Sequence, residues 1–221
     1  METSFETTVT LKSAVRVERG VPGGPLVIAL HGWGMNERSF SRWLRPGVED
    51  DRAARLSWWV ARGTLPCELQ RRPRKIGYGW YVFNGDQDAL RASMDEARAY
   101  LVGLARTAQR ALRPSSISLL GFSQGAYLGS YVALSHPDLF ARLVCCCGRP
   151  KTEFVTDLDA AGDVRVLIQT GARDDAMTPE LIAKGVDPLQ RAGLDVTVAS
   201  YDAPHKLIPA MAADAARFLS S

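Results

Sequence analysis

Residues 118–129 read SLLGFSQGAYLG and join an apolar run to a helical pattern through Gly-Phe-Ser-Gln-Gly. The apolar residues before Ser123 are typical of a buried β-strand, and those after it recur at helical spacing. This order predicts a strand, a sharp turn and a helix, with Ser123 at the apex in a strained backbone conformation. Gly121 and Gly125 have no Cβ atoms, so strand and helix can pass closely enough to hold the turn. We therefore expect the Ser123 hydroxyl to be exposed in a cleft, available as a nucleophile.

The composition is that of one α/β domain, which we expect to span residues 1–221. Hydrophobic residues make up 46% of the chain and charged residues 23%, which allows a sizeable core. The net charge of +3 is small and evenly scattered, which argues against nucleic acid as a partner. The first residues lack the basic start and apolar core of a signal peptide, and no apolar run approaches a membrane span. The sequence therefore predicts a soluble, cytoplasmic protein.

The cysteines do not form a recognisable metal or redox motif. Cys67 is isolated, and Cys145, Cys146 and Cys147 are consecutive, which matches neither Cys-x-x-Cys nor zinc-finger spacing. Adjacent residues of a strand point to opposite faces, so they cannot converge on one ion. We interpret them as small core residues in a reducing compartment and predict no metal site.

Along the chain, predicted strands alternate with predicted helices. Besides the strand before Ser123, strands are predicted at residues 5–18, 26–30, 55–61, 143–147, 164–169 and 194–201. Besides the helix after Ser123, helices are predicted at residues 86–112, 179–191 and 205–219, with a helical turn at 39–44 and a long irregular segment at 62–85. This alternation favours a mostly parallel, twisted sheet with helices on both faces.

A serine nucleophile needs a base, usually a histidine that a carboxylate orients. In a fold of this kind the nucleophile, acid and histidine follow one another in chain order. His31 lies upstream of Ser123, and His136 lies on the helix directly after it, before any strand that could present an acid. His205 remains, in a loop between the last strand and the last helix, where active-site loops gather.

The carboxylate is expected at the end of the strand at residues 164–169, where two aspartates are adjacent. Asp174 and Asp175 are both candidates for the orienting acid. Either could instead serve the turn or the start of the following helix, because aspartate is common at both. The acid should be shielded and bonded to the histidine, and its neighbour should point outward.

The strand at residues 26–30 runs into the glycine-rich loop His31-Gly32-Trp33-Gly34-Met35-Asn36. Backbone N–H groups in such a loop can approach a developing negative charge closely, because glycine leaves room. His31 itself is interpreted as structural.

The chain resembles the carboxylesterase, acyl-protein thioesterase and phospholipase-like group of the α/β-hydrolase fold over most of its length. The resemblance rests on LHGWGMN, Arg62-Gly63, the segment Gly77-Tyr78-Gly79-Trp80, GFSQGA, HPDLF and the late histidine. It implies Ser123 as nucleophile, His205 as base, and the backbone N–H groups of Trp33 and Gln124 as the oxyanion hole. The group's Gly-x-x-Asp and Asp-x-x-x-Pro spacings point to Asp174 and Asp175 respectively, and we prefer Asp175 because the spacing to Pro179 is better formed.

The resemblance further implies a carboxylesterase that cleaves short- to medium-chain acyl esters through an acyl-enzyme, with no cofactor. The connection at residues 148–163 is too short for a cap domain, so the cleft should be open, and Trp33, Trp80 and Tyr81 are candidate pocket walls. Thioesters, lysophospholipids, lactones and peptides are alternative substrates for the same residues, and a non-catalytic binding protein of this fold is a further alternative. The basic segment Arg71-Arg72-Pro73-Arg74-Lys75 is either a solubilising surface or a steering device for anionic substrates.

Overall fold

The computed structural model describes residues 14–18, 20–70 and 75–221. Its strands are β1 (Val15–Glu18), β2 (Leu26–Leu30), β3 (Ser57–Ala61), β4 (Leu65–Leu69), β5 (Lys75–Gly79), β6 (Ile117–Phe122), β7 (Arg142–Cys146), β8 (Arg165–Gly171) and β9 (Val196–Tyr201). Its helices are α1 (Glu37–Val48), α2 (Gln87–Leu112), α3 (Gln124–Ser135), α4 (Pro179–Arg191) and α5 (Pro209–Ser220).

Within the described residues, seven strands form the main sheet in the order β1-β3-β2-β6-β7-β8-β9. Every neighbouring pair is parallel except β1 and β3, which are antiparallel. Every residue of β2 and β6 is buried, as expected for central strands that helices cover on both sides. The α/β-hydrolase fold that the sequence predicts is confirmed.

Two apolar cores lie on opposite faces of the sheet. One is built with side chains of α2, α3 and α4, and the other with side chains of α1 and α5. The carboxyl ends of the parallel strands meet at one edge, so the segments after β2, β6, β7, β8 and β9 lie close together there. That edge holds the candidate site.

A β-hairpin replaces part of the segment predicted to be irregular. Strands β4 and β5 pair antiparallel as a separate two-stranded sheet. The hairpin lies against the loop after β2, because Tyr78 exchanges backbone hydrogen bonds with Gly34 and Met35 at 2.9 Å. Alternating burial in β4 marks it as a half-exposed strand, a signal that the prolines and glycines of this segment obscured.

Other boundaries shift for local reasons. The predicted turn at residues 39–44 belongs to α1, which Asn36 caps in a reciprocal capping box with Ser39. The last helix begins at Pro209, so His205 lies in the loop before it. The predicted strand at residues 5–18 is described only as β1, and its residues 5–13 lie outside the described part of the chain.

The connection between β7 and β8 contains two short 3₁₀ turns, Thr152–Phe154 and Asp159–Ala161, and carries no inserted cap domain. Among the residues that the structure describes, no helix is both long enough and apolar enough to cross a membrane.

Candidate active site

Ser123 sits at the sharp turn between β6 and α3, which we call the elbow. Its φ of 52° and ψ of −118° lie in a region that non-glycine residues rarely adopt. A Cβ atom on Gly121 would lie 2.2 Å from the carbonyl oxygen of Gly125, and one on Gly125 would lie 2.3 Å from that of Leu30. Both glycines are therefore required by the close passage of strand and helix, as the sequence predicts.

His205 connects the serine to a buried carboxylate. Its Nε2 atom lies 2.9 Å from the Oγ atom of Ser123, and its Nδ1 atom lies 2.8 Å from Oδ2 of Asp174. A carboxylate only accepts hydrogen bonds, so the Nδ1–H group donates to it and Nε2 is left to accept from the serine hydroxyl. This tautomer is the one in which a histidine can take a proton from serine.

The aspartate in contact with His205 is Asp174, and not Asp175, which the spacing to Pro179 favoured. The Asp174 side chain is fully buried, and its Oδ1 atom accepts hydrogen bonds from the N–H groups of Ala176 and Met177 at 2.9 and 3.1 Å. Asp175 is exposed. The additional residue between Gly171 and Pro179 is accommodated after Asp174, which leaves the spacing from the end of β8 unchanged.

The two proposed oxyanion-hole donors are free to bind a ligand. Within the described parts of the chain, the backbone N–H groups of Trp33 and Gln124 donate to no protein acceptor. Gly32 brings the loop against the elbow, because a Cβ atom there would lie 3.4 Å from the Ser123 Cβ and 2.9 Å from the Phe122 ring. Trp33 follows Gly32 and Gln124 follows Ser123, so both residues lie at this contact.

His31 is a structural residue of this loop, as expected. It is fully buried, its Nε2 atom accepts the N–H of Gly63 at 3.0 Å, and its Nδ1 atom lies 2.7 Å from the carbonyl oxygen of Gly32. Burial lowers the pKa of His31 from 6.5 to about 4, so the ring is neutral near pH 7 and can bridge a donor and an acceptor.

Trp80, which the sequence analysis names as a candidate pocket wall, lies in the core. Its side chain is 1% exposed, its indole N–H donates to the carbonyl oxygen of His31 at 2.8 Å, and its ring packs on the imidazole. Trp33 is the exposed tryptophan, at 54%, and its indole lies over Gly79. A large aromatic residue in a short motif can face either way, and here the tertiary contacts decide.

Tyr81 lies beside the elbow and is 8% exposed. The Gln124 side chain holds this segment, because its Oε1 atom accepts the Trp80 N–H at 3.0 Å and its Nε2 atom donates to the Tyr81 carbonyl at 2.9 Å. Burial raises the pKa of the Tyr81 phenol, which stays protonated near pH 7. Tyr81 remains a candidate pocket residue.

Cys147 is a neighbour of the site that sequence reasoning assigned only to the core. It is buried, like Cys145 and Cys146, but its Sγ atom, the Asp174 carboxylate and a His205 ring nitrogen lie within 4.8 Å of one another. In the described residues, these three form the one group of histidine, cysteine, aspartate or glutamate side chains whose ligand atoms lie closely enough to hold a metal ion. Burial raises the Cys147 pKa to about 12, so the thiol is neutral near pH 7.

Tyr127 is a further neighbour of Ser123 that sequence reasoning did not identify, although its spacing from Ser123 indicates it. It follows Ser123 by four residues, and residues four apart share a helix face. In residues 123–134, every residue is buried except Ser123, Gln124 and Tyr127, which are half-buried.

The basic segment Arg71-Arg72-Pro73-Arg74-Lys75 lies mostly outside the described residues, and its last member, Lys75, is exposed at the start of β5.

Comparisons with known proteins agree with this architecture. The model of the Phospholipase/Carboxylesterase family matches residues 12–221. No curated protein matches the chain. Among solved structures, acyl-protein thioesterase 2 of Zea mays is 20% identical, with a TM-score of 0.73 over 95% of this chain and 98% of that chain.

Two bacterial carboxylesterases are similarly related. That of Bacillus cereus is 16% identical, with a TM-score of 0.74 over 94% of this chain and 93% of that chain. That of Mesorhizobium loti is 22% identical, with a TM-score of 0.71 over 89% of this chain and 88% of that chain. At these identities the structural likeness shows a shared fold.

Proposed function

The chain belongs to the phospholipase/carboxylesterase family and is an ester hydrolase, and from this premise we propose that Ser123, His205 and Asp174 form its catalytic triad. The observation that carries the proposal is the unbroken series of contacts from the serine hydroxyl to the buried carboxylate, at 2.9 and 2.8 Å. These distances are those of a nucleophile, a base and an orienting acid in hydrogen-bond contact.

In the first half of the reaction, the Oγ atom of Ser123 attacks the ester carbonyl carbon while Nε2 of His205 takes the hydroxyl proton. Asp174 stabilises the imidazolium that forms and keeps Nδ1 protonated. The same Nε2 proton then passes to the leaving alcohol, the C–O bond breaks, and an acyl-enzyme on Ser123 remains.

In the second half, a water molecule replaces the alcohol. His205 takes a proton from the water as its oxygen attacks the acyl-enzyme, and returns that proton to Oγ when the carboxylic acid leaves. In both halves the carbonyl oxygen becomes negative, and the N–H groups of Trp33 and Gln124 are the donors placed to stabilise it. No step requires a metal or cofactor.

We propose short- to medium-chain acyl esters as the substrate class. The absence of a cap in the described connection between β7 and β8 supports an open site, and the buried Tyr81 beside the elbow supports a pocket of limited depth. Acyl thioesters and lysophospholipids present the same carbonyl to Ser123 and are the alternatives that an experiment must separate.

The test is a hydrolysis panel of p-nitrophenyl esters of increasing chain length, an acyl thioester, a lysophospholipid and an aryl amide. We expect the highest kcat/KM for the shorter oxygen esters and none of this turnover in Ser123→Ala. A fluorophosphonate should label the wild-type protein at Ser123 alone. Ester hydrolysis that persists in purified Ser123→Ala, or labelling at another residue, would refute the proposed triad.

A further inference from the structure

Beside the nucleophile lies a cluster of polar side chains that the triad does not use. We propose that Tyr127 and Arg149 form a subsite for a carboxylate at the far end of a short acyl chain. This inference rests on the proposed function, because it assigns the acyl group that Ser123 would accept.

Tyr127 lies close to Ser123. Its backbone N–H donates to the Ser123 carbonyl oxygen at 3.3 Å, one turn along α3, and its side chain is partly exposed as that of Ser123 is. Its hydroxyl donates to the Sδ atom of Met177 at 3.4 Å. Thioether sulfur is a weak acceptor, so an oxygen acceptor from a substrate would replace it favourably.

Arg149 lies next to this tyrosine. The chain after β7 passes so close to the elbow that a Cβ atom on Gly148 would lie 3.1 Å from the Ser123 carbonyl oxygen. The Cζ atom of Arg149 is 5.6 Å from the centre of the Tyr127 ring. The residue is 5% exposed, and its buried Nε has no hydrogen-bond partner among the described residues. An unsatisfied buried donor is costly, and Glu153 and the Pro150 carbonyl occupy only the two terminal nitrogens of this guanidinium.

The charges around Arg149 favour an anion. Arg149 forms a bidentate pair with Glu153 at 2.7 and 2.9 Å, and Lys151 contacts the same carboxylate at 2.9 Å. Lys151 is also 5% exposed. Two buried cations thus share one anionic partner in these contacts, which leaves a net positive charge where dielectric screening is weak.

The position of the cluster assigns it to the acyl side of the ester. His205 packs on Phe122, which belongs to the core on the α1 and α5 face, whereas Tyr127 and Met177 pack in the opposite core. The leaving alcohol must lie next to His205, which protonates it. The acyl chain then extends toward Tyr127, about 5.4 Å or one helical turn from Ser123, which suits a short chain.

The experiment compares two ethyl esters of similar shape, monoethyl succinate and ethyl 4-methylpentanoate, whose acyl groups end in a carboxylate and in its apolar isostere. Hydrolysis is followed by titration at constant pH. Alkyl esters are chosen because aryl hemisuccinates hydrolyse through attack by their own carboxylate, and Ser123→Ala gives the background rate. We expect wild type to prefer the succinate in kcat/KM.

The variants then test the subsite. Tyr127→Phe removes one hydroxyl and should lower kcat/KM for monoethyl succinate about tenfold, the effect of losing one hydrogen bond to a charged group, with little change for the isostere. Arg149→Lys keeps the charge, removes the Nε donor and should likewise weaken the preference. Tyr131→Phe is the matched control, because its hydroxyl is on the same helix but bonds to Asp95. It should leave the ratio of the two substrates unchanged.

The outcomes separate the two proposals. If wild type cleaves p-nitrophenyl acetate through Ser123 but shows no preference for the succinate, or if Tyr127→Phe affects both ethyl esters equally, the subsite is refuted and the triad stands. If Ser123→Ala retains the wild-type activity toward p-nitrophenyl acetate, the proposed function fails and the subsite with it.

Discussion

The Asp174 carboxylate lies 2.8 Å from Nδ1 of His205, whereas the next residue, Asp175, is exposed to solvent. The backbone orients Asp174 inward, because its N–H donates to the Gly171 carbonyl at 3.1 Å and its Oδ1 atom accepts the Ala176 and Met177 N–H groups. The turn after β8 therefore holds this carboxylate from both its main chain and its side chain.

Neutralising each aspartate separately tests this arrangement. Asp174→Asn should lower kcat for a p-nitrophenyl ester by about 10⁴-fold, because an amide does not hold His205 in the productive tautomer. Asp175→Asn is the matched control, since it makes the same chemical change on the adjacent exposed residue, and it should stay close to wild type. A large loss in Asp175→Asn with a small one in Asp174→Asn would contradict the assignment.

The strained backbone of Ser123 should appear as a difference in stability between two inactive variants. The free energy of unfolding of Ser123→Gly should exceed that of Ser123→Ala by about 1 kcal/mol, because glycine adopts a φ of 52° without strain. Equilibrium urea unfolding of both proteins measures this difference. Equal midpoints would mean that the elbow stores no strain at this residue.

His31 should make the stability of the fold depend on pH. Its pKa is about 4 in the folded protein, and an unfolded chain titrates near 6.5, so only the unfolded state takes up a proton between these values. Stability from this source is fully present above pH 6.5 and falls as the pH drops toward 4, by on the order of 3 kcal/mol in total.

Thermal unfolding from pH 4 to 7 checks this prediction. The Tm of His31→Gln should fall less steeply over that range than that of wild type, although the variant is less stable at pH 7 because its contacts are lost. His136→Gln serves as the control, because His136 is only half-buried and should contribute a smaller slope. Parallel Tm profiles for wild type and His31→Gln would contradict a neutral buried His31.

The Gln124 side chain should contribute to stability independently of its backbone N–H. Gln124→Ala leaves the Trp80 N–H and the Tyr81 carbonyl without the partner that they share, which should cost about 1–3 kcal/mol. Urea unfolding gives this value, and Gln190→Ala, a change of the same chemistry on the exposed face of α4, should stay within about 0.5 kcal/mol of wild type. An equal, small effect of both substitutions would show that the two hydrogen bonds of the Gln124 side chain contribute little to stability.

The sequence by itself determined the features that depend on local geometry and chain order. The strand, turn and helix around Ser123 follow from glycines that no other residue can replace in that turn, and the alternation of strands and helices predicts the parallel sheet. His205 could be selected by elimination, because chain order excludes the other histidines. In the structure its Nε2 atom lies 2.9 Å from the Oγ atom of Ser123.

Only the tertiary structure decided which side chains face the site. Asp174 and Asp175 are chemically identical neighbours, and the choice between them depends on where the turn after β8 accommodates one additional residue. Trp80 and Trp33 are both large aromatic residues in loops. The contact with His31 holds Trp80 in the core, whereas Trp33 lies over Gly79 at the surface. The contacts of Cys147 with His205 and of Arg149 with Tyr127 join segments that are distant in sequence, and local patterns carry no information about such packing.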